Sequence, residues 1–193
     1  MPDSQLAINP KSSALVLIDL QGGVVGREGL GPRSSAAVVE NAGRLADAFR
    51  GAGGFVVLVR VTFSADGGDR LSAPVDEPMQ MGTPPAGWDE IVPEIGPKPG
   101  DHVLAKRQWG AFYGTDLDLE LRRRGIDTVV LGGIATNMGV ESTARAAHEH
   151  GYKLILVEDA MTSLSAEAHH FAIKTIFPRL GRVRSTEEVI KAL

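Results

Sequence analysis

Apolar positions along the chain fall into two alternating patterns, short continuous runs and longer stretches with helical spacing. Six runs read as strands: ALVLIDL (14–20), FVVLVRV (55–61), HVLAK (102–106), TVVLGGI (128–134), KLILVED (153–159) and the short GRVRS (181–185). Several are apolar at successive positions rather than at every second one, the mark of strands covered on both faces of a parallel sheet. In SSAAVVENAGRLADAFRGAGG, Val38, Ala42, Leu45 and Phe49 recur at helical spacing, and the Gly51 to Gly54 region supplies the stop. TDLDLELRRRG opens with Thr115 as a cap and closes at Gly125. NMGVESTARAAHEHG runs from Asn137 as cap to Gly151, with Glu141 four residues before Arg145. SAEAHHFAIKTIF and STEEVIKAL are two further amphipathic candidates, each opening on Ser with an early Glu.

Strands alternating with helices imply right-handed crossovers and a three-layer arrangement, a doubly wound α/β domain with helices on both sides of a parallel sheet. A length of 193 residues supports one large core and is short for two, so residues 1–193 are read as a single domain. Residues 62–101 break the alternation with a Gly- and Pro-dense stretch of little periodicity. A loop of that length in a compact domain is usually functional or disordered.

Composition removes several function classes. The chain is 43% hydrophobic and 23% charged, within the ordinary globular range. A net charge of -4 argues against a nucleic-acid surface, which needs clustered Lys and Arg. The tight basic run Arg122 to Arg124 reads as a helix end, where cations oppose the negative end of the dipole. Cysteine is absent, which excludes disulfides and thiolate metal sites and fits a cytoplasmic protein. The start MPDSQLAINPKSS lacks the apolar core of a secretory signal, and no run reaches the roughly 18 apolar residues of a membrane helix. The expected partner is a small-molecule substrate, with no nucleic acid and no membrane.

In open α/β sheets, ligands collect at the carboxyl ends of the strands. Those ends carry Asp19, Arg60, Lys106, the loop Ala135 to Gly139, and Glu158 with Asp159. A carboxylate closing an apolar strand must be solvated, paired or hydrogen-bonded to stay ionised, so Asp19 reads equally as a loop cap or a catalytic group. Lys106 carries the same two readings, since long cationic side chains reach water readily. In IATNMG, backbone N–H groups at the start of the next helix suit an anionic or carbonyl oxygen.

Taken together, LVLIDLQGG, KRQWGAFYGTDLDLELRRRGIDTVVLGGIATNMGVESTARAAHEHGY, LVEDAMTS and FPRLGRVRSTEEVI resemble the isochorismatase-like hydrolases over nearly the whole chain. That superfamily also contains nicotinamidases and N-carbamoylsarcosine amidases. The resemblance implies a six-stranded, Rossmann-like parallel sheet flanked by helices. It also implies a cis peptide at Ile134–Ala135 and a homo-oligomer, dimer or tetramer, with Trp88 in the long loop placed to reach a neighbouring subunit. Amidase members use an Asp, Lys and Cys triad; Asp19 in IDLQ and Lys106 in LAKRQWGAF match the first two, and the Cys position falls on Gly139. Without the thiol, covalent amide hydrolysis is disfavoured. Thr136, Asn137 and Tyr113 are conceivable substitutes, but a hydroxyl needs an aligned base and none is visible.

Isochorismatase itself resembles this chain in lacking the Cys. It cleaves a vinyl ether, the Asp protonating the double bond and water attacking the resulting cation, so no protein nucleophile is required. The resemblance therefore implies Asp19 and Lys106 as catalytic residues and the backbone of Ile134, Ala135, Thr136 and Gly139 as an oxygen-binding element. Trp109, Phe112 and Tyr113 follow Lys106 and read either as pocket walls or as packing at a sheet edge or subunit interface. Arg60, Arg70 and Arg107 are available for substrate carboxylates. No metal and no cofactor are expected: the nicotinamidase pattern of an Asp with paired histidines is missing from residues 62–101, and His169 and His170 read as surface residues rather than ligands.

Two questions stay open at this level. A general acid calls for a pKa above the ordinary Asp value of about 3.9, whereas a neighbouring Lys106 lowers it and would suit a base. A non-enzymatic protein that kept the pocket after losing the thiol is the alternative to an enzyme.

Overall fold

The computed structural model describes residues 6–78 and 84–193, so the first five residues and positions 79–83 of the long loop lie outside the description. Its six strands are β1 (Ser13–Ile18), β2 (Phe55–Val61), β3 (His102–Lys106), β4 (Thr128–Ile134), β5 (Lys153–Thr162) and β6 (Arg182–Arg184). They form one sheet in the order β3-β2-β1-β4-β5-β6, every neighbouring pair parallel. The helices are α1 (Gly22–Val25), α2 (Ser35–Gly51), α3 (Leu117–Arg123), α4 (Glu141–Glu149), α5 (Ala166–Phe171), α6 (Phe177–Leu180) and α7 (Thr186–Ala192). Among the described residues no helix is long and apolar enough to cross a membrane.

All six residues of β1 are buried, as its continuous apolar run requires. Alternation along the strand divides them between two cores. Ala14, Val16 and Ile18 pack with Leu117 and Leu121 of α3 and Ala144 and Ala147 of α4. Leu15 and Leu17 pack on the other face with Val38, Ala42, Leu45 and Phe49 of α2 and Val189 of α7. The expected stripe of α2 is thus its buried face, and the result is a three-layer doubly wound domain.

Caps and boundaries follow the local chemistry with a few departures. Ser165 caps α5 through the Ala168 amide at 3.2 Å, and Ser185 forms a full capping box with Glu188 at α7. Glu141 pairs with Arg145 at 2.9 Å. Thr115, expected as the cap of α3, stands one residue before the cap position held by Asp116; its hydroxyl accepts from the Leu117 amide at 3.3 Å and donates to the Ala111 carbonyl at 2.6 Å. Asn137 is not a cap either, because a π-helical turn, Thr136–Val140, runs into α4 and its amide oxygen accepts from Ser163. β1 ends at Ile18, one residue before Asp19, and β5 continues to Thr162 rather than stopping near Asp159. The basic run ending α3 lies over aromatic neighbours, Arg122 on Tyr152 at 4.4 Å and Arg124 on Phe55 at 4.2 Å.

One glycine decides how closely the central strands meet. Gly133 has φ 125, and a Cβ built there would stand 2.2 Å from the Ile18 carbonyl oxygen and 2.6 Å from the Ile18 nitrogen. Neither backbone atom can withdraw without tearing β1 from β4. We expect Gly133→Ala to cost more than about 4 kcal/mol, in the exceptional range for a single substitution, measured as a lowered urea midpoint or loss of folded protein. A variant unfolding within about 1 kcal/mol of the parent would show that the two strands are less rigidly apposed.

Candidate active site

The direction of winding reverses at β1, which has β2 on one side and β4 on the other. A crevice opens at such a switch, beyond the carboxyl ends of the strands. Asp19 is the first residue past β1, and its φ of 52 places it in the left-handed region that Asp tolerates better than most side chains. Its amide donates to the Val59 carbonyl at 2.8 Å, which holds the turn against β2. Gln21, fully buried two residues later, accepts from the Val61 amide at 2.8 Å and donates to the Val61 carbonyl at 2.9 Å. It also reaches the Trp88 carbonyl at 3.3 Å, so one side chain ties the exit of β1 to the end of β2 and to the long loop.

Lys106 closes β3 and reaches across the sheet end. Its Nζ donates to Asp19 Oδ2 at 2.7 Å and to the Gln108 carbonyl at 3.0 Å. Exposure is 7% for Asp19 and 2% for Lys106, so water screens the pair little. The second carboxylate oxygen, Oδ1, is buried and has no hydrogen-bond partner. Burial pushes the Asp19 carboxyl up to about 6, and the Lys106 cation opposes that rise without cancelling it. Desolvation therefore wins the contest that the sequence left open.

The turn after β4 supplies the facing wall. The Ile134–Ala135 peptide is cis, and the Ala135 carbonyl accepts from the Met138 amide at 3.1 Å and the Val140 amide at 3.2 Å. Gly139 is held by the Thr143 hydroxyl, which donates to its carbonyl at 2.7 Å. A Cβ on Gly139 would stand 3.3 Å from Asp19 Oδ2 and 3.0 Å from Ile18 Cγ2. Any side chain at this position would thus begin beside the carboxylate; with glycine, the carboxylate faces an open approach.

Asp19, Lys106, Trp109, Ile134, Ala135 and Gly139 line one cavity of about 650 Å³. Two other expected residues are placed elsewhere. Thr136 is fully buried behind the turn, where its hydroxyl lies 3.0 Å from the Thr162 carbonyl and 2.8 Å from His169 Nδ1. It anchors the turn and does not line the cavity. Tyr113 is 83% exposed and also outside the lining, and Phe112 packs among His150 and Tyr152. His169, expected at the surface, is 2% exposed, and burial with the nearby Arg33 charge lowers its pKa to about 4. The turn of α5 that carries it packs inward onto the loop after β4, which no helical periodicity reveals.

The long loop forms much of the remaining wall. Phe63 and Trp88 stack with centroids 5.9 Å apart, and both line the cavity together with Arg70. Trp88 is half-buried there and packs against Gly23. Of the three arginines considered for substrate carboxylates, Arg70 and Arg107 line the cavity, while Arg60 is outside the lining and pairs with Asp89 at 2.9 Å. Arg27, Val24 and Leu30, from the segment after β1, were missed by the sequence reading; the GGVV that follows IDLQ carries no chemical signal of its own. Among the described residues no group of three or more His, Cys, Asp or Glu side chains is placed to hold a metal ion.

Residues 13–188 match the Isochorismatase domain family. The isochorismatase family protein YwoC of Bacillus subtilis (strain 168) is 53% identical over 188 residues, 96% of each chain. Maleamate amidohydrolase of Pseudomonas putida is 32% identical over 95% of this chain and 87% of its own. An isochorismatase family protein from Burkholderia thailandensis superposes with a TM-score of 0.93 at 44% identity, covering 98% of this chain and 99% of that one. A match of this extent, on a sheet whose strand ends carry a buried Asp–Lys pair beside a tight turn, places the chain in the isochorismatase family of hydrolases.

Proposed function

We propose that this protein hydrolyses a small carbonyl- or carboxylate-bearing metabolite without a protein nucleophile, with Asp19 as the proton donor and Lys106 as its electrostatic partner. The observation that carries this reading is the buried Asp19 carboxyl, whose pKa of about 6 leaves a neutral fraction near physiological pH while Oδ1 has no competing partner. The relative that acts on maleamate supports a small carbonyl substrate. The chain has no cysteine, which argues against a thiol ester intermediate.

A vinyl ether fits these groups. Asp19 delivers its proton to the terminal carbon of the double bond, and the electron pair left on the ether oxygen stabilises the resulting oxocarbenium ion. Water enters over Gly139, adds to the cationic carbon and returns a proton to Asp19. The hemiketal then collapses, breaking the carbon–oxygen bond to give a ketone and an alcohol. Lys106 holds Oδ2, so the proton resides on Oδ1. The bare Cα at position 139 also favours a second reading, a binding protein that turns nothing over; saturable binding of a metabolite without product would establish it.

Asp19→Asn keeps the fold and lowers turnover at least about 10²-fold, the usual scale for a general acid. A screen that scores pyruvate from isochorismate and ammonia from maleamate and nicotinamide checks this. Unchanged turnover in the folded variant removes Asp19 from the mechanism.

The pH profile separates acid from base. With Asp19 as acid, kcat/KM is level below about 6 and falls tenfold per unit above it, because the neutral form is lost as pH rises through the folded-state pKa. A base gives the mirror image. Lys106 lowers the Asp19 pKa, so in Lys106→Met the break moves upward. A break that stays in place would show that another group titrates.

A further inference from the structure

We propose that His169 is a positioning residue of the active site: with its proton on Nδ1 it donates to the buried Thr136 hydroxyl, turns that hydroxyl toward the end of β5, and so fixes the turn after β4 against Asp19. The inference deepens the reading above and rests on it for the role of Asp19.

The hydrogens available to three buried groups decide the tautomer. Thr136, Thr162 and His169 are at most 2% exposed. The Thr136 hydroxyl lies 3.0 Å from the Thr162 carbonyl and 2.8 Å from His169 Nδ1. It has one hydrogen to give, and the carbonyl can only accept. A bare Nδ1 would compete with the carbonyl for that hydrogen, and one of the two contacts would go unmade, leaving a buried polar atom without this partner. With the proton on Nδ1 both are made: the ring donates to the hydroxyl, and the hydroxyl donates to the carbonyl. The lone pair then sits on Nε2, where acid adds a second proton, so the Nδ1 donor is present in both charge states. The charged state is disfavoured, because burial first, then Arg33 in front of α2 and His170 of the same helix, lower the His169 pKa to about 4. The partners on the turn and on β5 are uncharged threonines.

The hold reaches Asp19 through the residues on either side of Thr136. Ala135 precedes it, Met138 and Gly139 follow, and all three line the cavity. Gly139 comes nearest the carboxylate, since a Cβ there would stand 3.3 Å from Asp19 Oδ2. Asn137 and Gly139 are held directly, by the hydroxyls of Ser163 and Thr143. At Thr136 the hydroxyl is itself the held group, and it takes its direction from the donor behind it. Thr162 is tied further back, its own hydroxyl donating to the Arg33 carbonyl at 2.7 Å. The chain of bonds thus joins α5, the turn, β5 and the segment before α2 behind the cavity. Any side chain of similar size would meet a packing role at position 169; this chain needs a donor where Nδ1 stands. Without that donor the turn loosens, water reaches the unpaired Oδ1, and part of the desolvation that raises the Asp19 carboxyl is lost.

The test is NMR on the purified protein, labelled first at its histidine nitrogens and read near neutral pH. The His169 signals are assigned by their loss in His169→Gln. The expected pattern is a protonated Nδ1 and a bare Nε2; the opposite pattern overturns the proposal. Carbon NMR then follows the Asp19 carboxyl through its titration. In His169→Leu and in Thr136→Val the midpoint falls by about one unit, toward the ordinary Asp value. The double variant falls no further than either alone, because both break one chain of bonds. His169→Asn, whose side-chain amide can stand where Nδ1 stood, keeps the parent midpoint. His169→Gln, which places its donor one bond too far, does not. Urea unfolding of each variant shows that it is folded; should His169→Leu not fold, Thr136→Val and the pair Asn against Gln carry the comparison. An Asp19 midpoint that stays in place in the folded variants, or His169→Asn no better than His169→Gln, would also overturn the positioning role. A midpoint that depends on His169 in a protein that turns over nothing would sink the hydrolase and leave the positioning standing. Turnover lost in Asp19→Asn, with a midpoint indifferent to His169, would do the reverse.

Discussion

Two opposite charges held almost out of reach of water govern the architecture around the site. Removing a carboxylate and an ammonium from solvent costs several kcal/mol each, and their mutual attraction repays this only with good geometry. Asp19 and Lys106 meet that condition at 2.7 Å, yet the carboxylate keeps one oxygen unpaired. The consequence is a carboxyl whose affinity for a proton is raised even beside a cation. Nearby polar contacts, from the Asp19 amide on Val59 to Gln21 on Val61, keep the pair in register while leaving that oxygen unsatisfied.

Close backbone approach is the second constraint. β1 and β4 meet where Gly133 lies against Ile18, and this proximity brings the turn after β4 to within side-chain distance of Asp19. The turn is then fixed from behind by Thr136, His169 and Thr162, and from the α4 side by Thr143. Its position is thus set by groups that do not face the cavity. The bonds of Thr136 to Thr162 and His169 are long-range in sequence, that of Thr143 spans a single helical turn, and together they convert a glycine-rich segment into a rigid wall.

The long loop completes the site by a different principle. It has neither strand nor helix among its described residues, and it gains order from particular contacts: Gln21 on Trp88, Asp69 on Arg107, Arg60 on Asp89 and the stack of Phe63 on Trp88. The first three join the loop to a strand end, and the stack closes the loop on itself. A segment held in this way brings charged and aromatic side chains over the crevice without extending the sheet.

Local pattern alone determined the sheet, its helices and the identity of the strand-end residues. Burial on both faces writes continuous apolar runs into β1 and β4, and an amphipathic face writes its period into α2, so both are legible from neighbours in sequence. Asp19, Lys106 and Gly139 were legible for the same reason, since each interrupts or follows such a run. The sign of the Asp19 shift was not, because desolvation and the Lys106 charge act in opposition and their balance depends on how much sheet covers them. Nor were the inward turn of Thr136 and His169, the outward one of Tyr113, or the gathering of Arg27, Phe63, Arg70 and Trp88 at one cavity. Those placements arise from contacts between residues far apart in the chain, and only tertiary packing decides which side chains water reaches.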